Sequence, residues 1–210
     1  RPRVLRLERP GTPPPDDGGT THISVMDAEG NAVALTQTVN TLFGSGITAP
    51  GTGIVLNNEM DDFAAAPNAP NAFGLVGQSA NAIAPGKRPL SSMTPTIVLR
   101  DGRPWLVVGS PMGPMIITTV LQTLINVIDF GMNIQDAVAA PRFHHQWRPD
   151  RLLLEPEHPQ DVVARLEDWG HPVRVPEFHF GASAAILRDP ETGLFWGGAD
   201  PRRDSAAAGY

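Results

Sequence analysis

Two strand-turn-strand patterns, separated by fifty irregular residues, limit what this chain can become. "THISVMD" and "NAVALTQTV" alternate apolar and polar residues around "AEGN", which predicts two short strands joined by a tight turn at Gly30. "TPTIVLRDGRPWLVVG" repeats the pattern with Asp101-Gly102 as its turn. Between them, residues 41–90 are rich in Gly, Pro and Asn, far longer than an ordinary connection of about 4–6 residues, and loops of that length commonly carry function. The clearest helix follows in "PMIITTVLQTLINVID", where Ile116, Ile117, Val120, Leu121, Leu124, Ile125 and Ile128 form a stripe expected to pack on a sheet. "NIQDAVAA" predicts a shorter helix capped by Asn133 and stopped at Pro141. The last third reads as a strand at "RLLLE", a helix near "PQDVVARLEDWG" ended by Gly170, and strands at "SAAILRD" and "GLFWG". This order predicts a layered α+β domain without repeats.

Composition narrows the function. The 210 residues suffice for one ordinary domain. A net charge of −6 offers a nucleic-acid backbone nothing to hold, and the one basic cluster, "RPRVLRLER", is short and interrupted, so nucleic acid is not an expected partner. No apolar run approaches the roughly 20 residues of a membrane helix. Zero cysteines exclude disulfides, thiolate catalysis and cysteine metal sites. The chain starts at Arg1 without a signal-peptide pattern and reads as a segment of something longer. Residues 1–19, "RPRVLRLERPGTPPPDDGG", cannot bury enough apolar surface to offset their ordering entropy and read as a linker or tail.

The boundary at residue 20 raises a chemical possibility. A threonine hydroxyl is a poor nucleophile that needs an adjacent base. If the chain is cut before Thr20, the freed α-amine, with a pKa of about 7.7–8.0, can serve as that base from the same residue. The hydroxyl can also make the cut, attacking the Gly19 carbonyl to give an ester that water hydrolyses, with Gly18 and Gly19 easing the backbone into place. On local grounds alone, "DDGGTT" reads first as a turn entering a strand.

From Thr20 to Tyr210 the sequence resembles the small subunit of the gamma-glutamyltranspeptidases, a family of N-terminal nucleophile hydrolases. The likeness runs through "TTHISV", "GNAVALTQTVNTLFGSG", "GIVLNNEMDDF", "PGKRPLSSMTPTIV", "GSP", "IITTVLQ", "APRFHHQW" and "ADPRR…AGY". It implies a four-layer αββα sandwich completed by a large subunit, a precursor cleaved before Thr20, residues 1–19 as the large subunit's tail and 20–210 as the catalytic small subunit. It also implies transfer or hydrolysis of the gamma-glutamyl group of glutathione and related amides through an ester on Thr20. An amino acid, a peptide or water would be the acceptor. No cofactor or catalytic metal is implied, and the family's usual export suggests a periplasmic or secreted protein.

A gamma-glutamyl group displays an ammonium and a carboxylate, so its pocket needs acids on one side and donors on the other. The resemblance puts Glu59, Asp62 and Asn40 on the ammonium and Ser91 and Ser92 on the carboxylate, beside an arginine of the large subunit. Asp61 is expected to be structural. Thr38 matches the threonine whose hydroxyl orients Thr20. The tetrahedral oxyanion needs two fixed backbone donors. In "GSPMGPMIITT" the prolines leave Met112 and Gly113 as an adjacent N–H pair before a helix N-terminus.

The chain departs from the family pattern twice. Met112 stands where the family usually has glycine, so a positive φ there would strain it by about 1–3 kcal/mol, while Pro114 is expected to bias Gly113 toward extended backbone. Phe73, in "PNAPNAFGL", stands where many bacterial relatives have a lid tyrosine bonded to the asparagine matched by Asn40, which predicts a looser lid. His144 and His145 lack metal-ligand spacing and, as neighbours, should point to opposite sides, which favours structural hydrogen bonding. Two alternatives stay open: a cephalosporin or glutaryl amide acylase using the same threonine, and an uncleaved, inactive homologue.

Overall fold

A computed structural model describes residues 19–209. The tail expected over 1–19 therefore lies outside the described residues except for Gly19.

The first hairpin pairs β1 (Thr20–Met26) with β2 (Ala32–Thr38), in a register that sets Thr20 opposite Thr38. Gly30 takes φ 95° in its turn, a conformation that costs a glycine nothing. After the long irregular segment, β3 (Thr96–Arg100) and β4 (Arg103–Gly109) pair through Asp101 and Gly102, at φ 52° and 76°. Two positive φ values in a two-residue loop are what the twist of a hairpin selects.

Helix α1 (Met115–Ile128) and helix α2 (Ile134–Ala139) follow, and the Asn133 side chain accepts the Asp136 N–H as expected of a cap. β5 (Phe143–His144), β6 (Leu152–Leu154), helix α3 (Gln160–Asp168) and β7 (Val173–Arg174) come next. The two-residue strands β5 and β7 have no sequence pattern, and with β6 they form a small separate sheet. β8 (Ala184–Arg188) and β9 (Phe195–Ala199) extend the second hairpin into a four-stranded antiparallel sheet of order β3-β4-β8-β9.

The core lies between this sheet and the helices: Leu106, Val108 and Ala185 meet Ile116, Val120, Val127, Ile134 and Val138. The predicted stripe on α1 is split. Ile116 and Val120 are buried, whereas Ile117, Leu121 and Ile128 lie about half exposed, because buried Thr119 and Thr123 share the sheet-facing side. A helix with apolar residues on two faces has a second surface to bury.

The first hairpin lies across the opposite face of the sheet, over β4 and β8. Its polarity is inverted: His22, Ser24 and Thr36 face the sheet, while Ile23, Val25, Val33 and Leu35 are 46–52% exposed on the outside. His22 Nδ1 lies 2.7 Å from Thr36 Oγ1 and Nε2 lies 3.1 Å from Ser24 Oγ. Ser24 gives its own proton to the Ala184 carbonyl, so Nε2 carries a proton toward Ser24, and burial keeps the imidazole neutral by lowering its pKa to about 4. The described layers therefore run helix, sheet, hairpin, with an apolar face left for a further layer.

Candidate active site

The pairing of β1 with β2 brings Thr20 Oγ1 to 2.9 Å from Thr38 Oγ1. Thr38 Oγ1 donates to the Gly19 carbonyl at 3.1 Å and accepts the Asn40 N–H at 2.8 Å. A hydroxyl has one proton, so with that proton on Gly19 O, Thr38 receives the Thr20 proton rather than sending one. The Gly19 oxygen takes a second donor, the Val39 N–H, at 2.9 Å. Gly19 itself is buried, and a Cβ there would fall 2.6 Å from Thr41 O. Only glycine fits.

One narrow cleft is lined by Thr20, Thr38, Asn40, Glu59, Asp62, Phe73, Ser91, Ser92 and Gly113, together with Met93 and Ile116. All the site residues expected from the sequence are thus brought together except Met112, whose side chain is buried behind the wall. Met93 and Ile116 were not foreseen. Ile116 belongs to the predicted helix stripe, which gives no hint that its end closes a cleft.

Glu59 and Asp62 sit on one 3₁₀ turn, Glu59–Asp62, whose three-residue repeat carries i and i+3 to the same side. Burial first and the neighbouring Asp62 charge second push the Glu59 carboxyl up to about 7. Burial likewise raises Asp62. Glu59 Oε1 is buried without a hydrogen-bond partner. Asn40 is buried at φ 75° and gives its amide N–H to Asn58 O, leaving its side-chain oxygen without a donor among the described residues. Two crowded carboxyls and a free amide oxygen form a receptor for a cation. Asp61 accepts the Ala72 N–H at 2.9 Å, a structural role as expected.

Before α1 the backbone turns left-handed twice, with Met112 at φ 100° and Gly113 at φ 51°. Met112 meets the condition under which strain was expected. Gly113 is not extended: it lacks the Cβ that Pro114 would crowd, and its carbonyl accepts the Ile116 N–H as the helix begins. Among the described residues neither the Met112 nor the Gly113 N–H has an acceptor.

The Phe73 ring covers this turn, 3.0 Å from where a Gly113 Cβ would stand. Its backbone is held by polar contacts absent from the sequence reading. Gln146 Nε2 donates to Phe73 O at 3.2 Å, and Gln146 Oε1 lies 3.0 Å from Nε2 of buried His144, whose Nδ1 lies 2.8 Å from Thr118 Oγ1. His145 points away, to exposed Asp150. The described residues hold no group of three His, Asp or Glu side chains that could bind a metal.

Comparison with known proteins identifies the family. A sequence profile described as Gamma-glutamyltranspeptidase matches residues 4–210. The chain is 53% identical over 204 residues to the glutathione hydrolase proenzyme of Escherichia coli, covering 96% of this chain and 35% of that protein. It thus spans about a third of the length of the curated relatives it matches. The structure of a Helicobacter pylori gamma-glutamyltranspeptidase T380A mutant superposes with a TM-score of 0.84 at 50% identity, over 87% of this chain and all of that one. The cephalosporin acylase of Bacillus halodurans superposes at 0.79 with 33% identity, over 90% of this chain and 34% of that one. The fold is the layered α+β architecture of these N-terminal nucleophile relatives, and the chain belongs to the gamma-glutamyltranspeptidase family.

Proposed function

We propose that residues 20–210 form the catalytic small subunit of an enzyme that transfers or hydrolyses the gamma-glutamyl group of glutathione and related amides, with Thr20 as nucleophile. The observation that carries this reading is the contact between Thr20 and Thr38 beside the Glu59–Asp62 pair in one cleft.

In the uncut chain, Thr20 Oγ1 attacks the Gly19 carbonyl carbon while Thr38 Oγ1–H and Val39 N–H stabilise the developing oxyanion. As the C–N bond breaks, the Thr20 hydroxyl proton passes by way of Thr38 Oγ1 to the departing nitrogen, which becomes the free amine of Thr20, and water hydrolyses the resulting ester. Residues 1–19 then leave with the preceding subunit. The amine next takes the Thr20 hydroxyl proton as Oγ1 attacks the gamma-carbonyl of the donor, and passes it to the departing amine. The N–H pair of Met112 and Gly113 receives the second oxyanion. An amino acid, a peptide or water then takes the acyl group.

Glu59, Asp62 and Asn40 bind the donor ammonium, and Ser91 and Ser92 its carboxylate. A large subunit supplies the fourth layer over the hairpin. The 35% coverage of a relative named as a proenzyme, beside full coverage of a solved chain, supports two chains from one precursor. Among the described residues no helix is long and apolar enough to cross a membrane, and a periplasmic or secreted location rests on the resemblance alone.

The acylase reading has the Bacillus halodurans likeness in its favour. The paired acids count against it, because an acyl chain without an ammonium would leave these half-buried carboxyls without a cation. The test is intact mass of the full-length precursor beside Thr20→Ala, then release of aniline from a gamma-glutamyl anilide. Cleavage before Thr20 with turnover, both absent in Thr20→Ala, is expected; an intact wild-type chain without turnover overturns the reading.

A further inference from the structure

The segment 180–183 lines no part of the cleft, yet its four consecutive N–H groups all end on side chains. Phe180 N–H donates to Glu155 Oε1 at 2.6 Å and Ser183 N–H to Asp200 Oδ2 at 2.8 Å. Between them, Gly181 N–H donates to Met112 Sδ at 3.0 Å and Ala182 N–H to Ser110 Oγ at 3.1 Å. The outer two bonds tie the segment to buried carboxylates. The inner two reach across to the turn that carries the Met112 and Gly113 donors.

Met112 holds φ 100°, a region that side chains other than glycine rarely enter. Something outside the residue must keep it there. Its side chain is buried, and the sulfur is the only acceptor available to the Gly181 N–H among the described residues. Gly181 is matched to the contact: it takes φ 66°, and a Cβ on it would stand 2.5 Å from Ser110 Oγ and 3.0 Å from Thr119 Oγ1.

We propose that Met112 is a positioning residue whose thioether, by accepting the Gly181 N–H, holds the oxyanion turn left-handed. The side chain secures by an external tie the conformation that glycine reaches through lacking a Cβ. The sulfur itself touches no reacting atom. Its effect passes through the backbone to the adjacent N–H pair, so it should alter the chemical step more than donor binding, which depends on the 59–62 turn. The inference rests on the enzyme reading proposed above, and its test is arranged to fail separately.

The comparison uses the processed full-length enzyme as wild type, M112L and M112G, read by kcat and KM on a gamma-glutamyl anilide and by amide exchange at Gly181. Leucine keeps the bulk and the strain without the acceptor. M112L should lower kcat by about 10- to 100-fold with KM changed by less than about twofold, and should speed exchange at Gly181. M112G should fall between in kcat and match M112L in exchange. If M112L does not fold, norleucine in place of methionine exchanges sulfur for a methylene at similar shape, and the same readouts apply. Wild-type kcat together with a protected Gly181 amide in M112L or the norleucine protein would overturn the proposal. Absence of wild-type turnover would instead remove the enzyme reading, with Gly181 exchange still deciding whether the sulfur holds the segment.

Discussion

His22 and Gly109 meet so closely that a methyl group on the glycine would fall 2.1 Å from the imidazole Cε1. The contact seats the strand that begins with Thr20 against the central sheet. Gly109→Ala should therefore push the hairpin outward, costing about 1–3 kcal/mol of stability and slowing cleavage before Thr20. Thermal melting and the cleaved fraction by mass would test this. His22→Ala in the same chain should restore part of both, and additive losses would refute the contact as the cause.

The same histidine sets an acid limit. Burial lowers its pKa from 6.5 to about 4. Below pH 6.5 the unfolded chain takes up a proton that the folded chain refuses until about pH 4, so stability falls progressively as pH drops through that window. Denaturant midpoints at a series of pH values should reveal the slope. His22→Gln should flatten it.

Binding of the donor should follow the carboxyl pair. With Glu59 raised to about 7, the empty cleft carries a shared proton below that pH, and an ammonium needs both acids ionised. KM for a gamma-glutamyl donor should rise as pH falls below about 7 and be flat above it. Glu59→Gln should raise KM and abolish the dependence, whereas a pH effect confined to kcat would contradict the assignment.

A buried ionic cluster ties the last residues to the rest of the molecule. Arg142 meets Asp200 at 2.5 Å, and Arg202 grips Glu155 through two nitrogens at 2.6 and 2.9 Å. Both guanidinium groups also donate to Val138 O, and Arg202 to Ala140 O, which satisfies carbonyls at the end of α2. Asp200→Asn leaves Arg142 buried without its counter-charge and should cost about 3–5 kcal/mol. That corresponds to about 6–20 °C in melting midpoint for a domain of this size.

Much of the fold was legible because local chemistry dictated it. Asp101-Gly102 and Gly30 name their turns, and Asn133 names its helix start. The strands β5 and β7 were invisible, since two residues carry no period. The polarity of the first hairpin was misleading in its own way: alternation marks a strand but does not say which face meets the core, and here the histidine face does. At the site, family motifs gathered Thr20, Thr38, Asn40, Glu59, Asp62, Ser91 and Ser92, which the fold brings to one cleft. Spacing could not reveal the Gln146 contact to Phe73, or that Gly181 lies against Met112, because sixty-nine or more positions separate each pair.

The inverted hairpin bears on the order of events in the molecule's life. Ile23 and Val25 interleave with Thr20, His22 and Ser24, so whatever shields the former from water also fixes the height of the latter above the sheet. A covering layer that arrived late or shifted would be felt first at the reactive hydroxyl. If Thr20 is the nucleophile proposed above, assembly of the sandwich becomes the condition for self-cleavage, and a chain that has not closed around that residue stays a harmless amide.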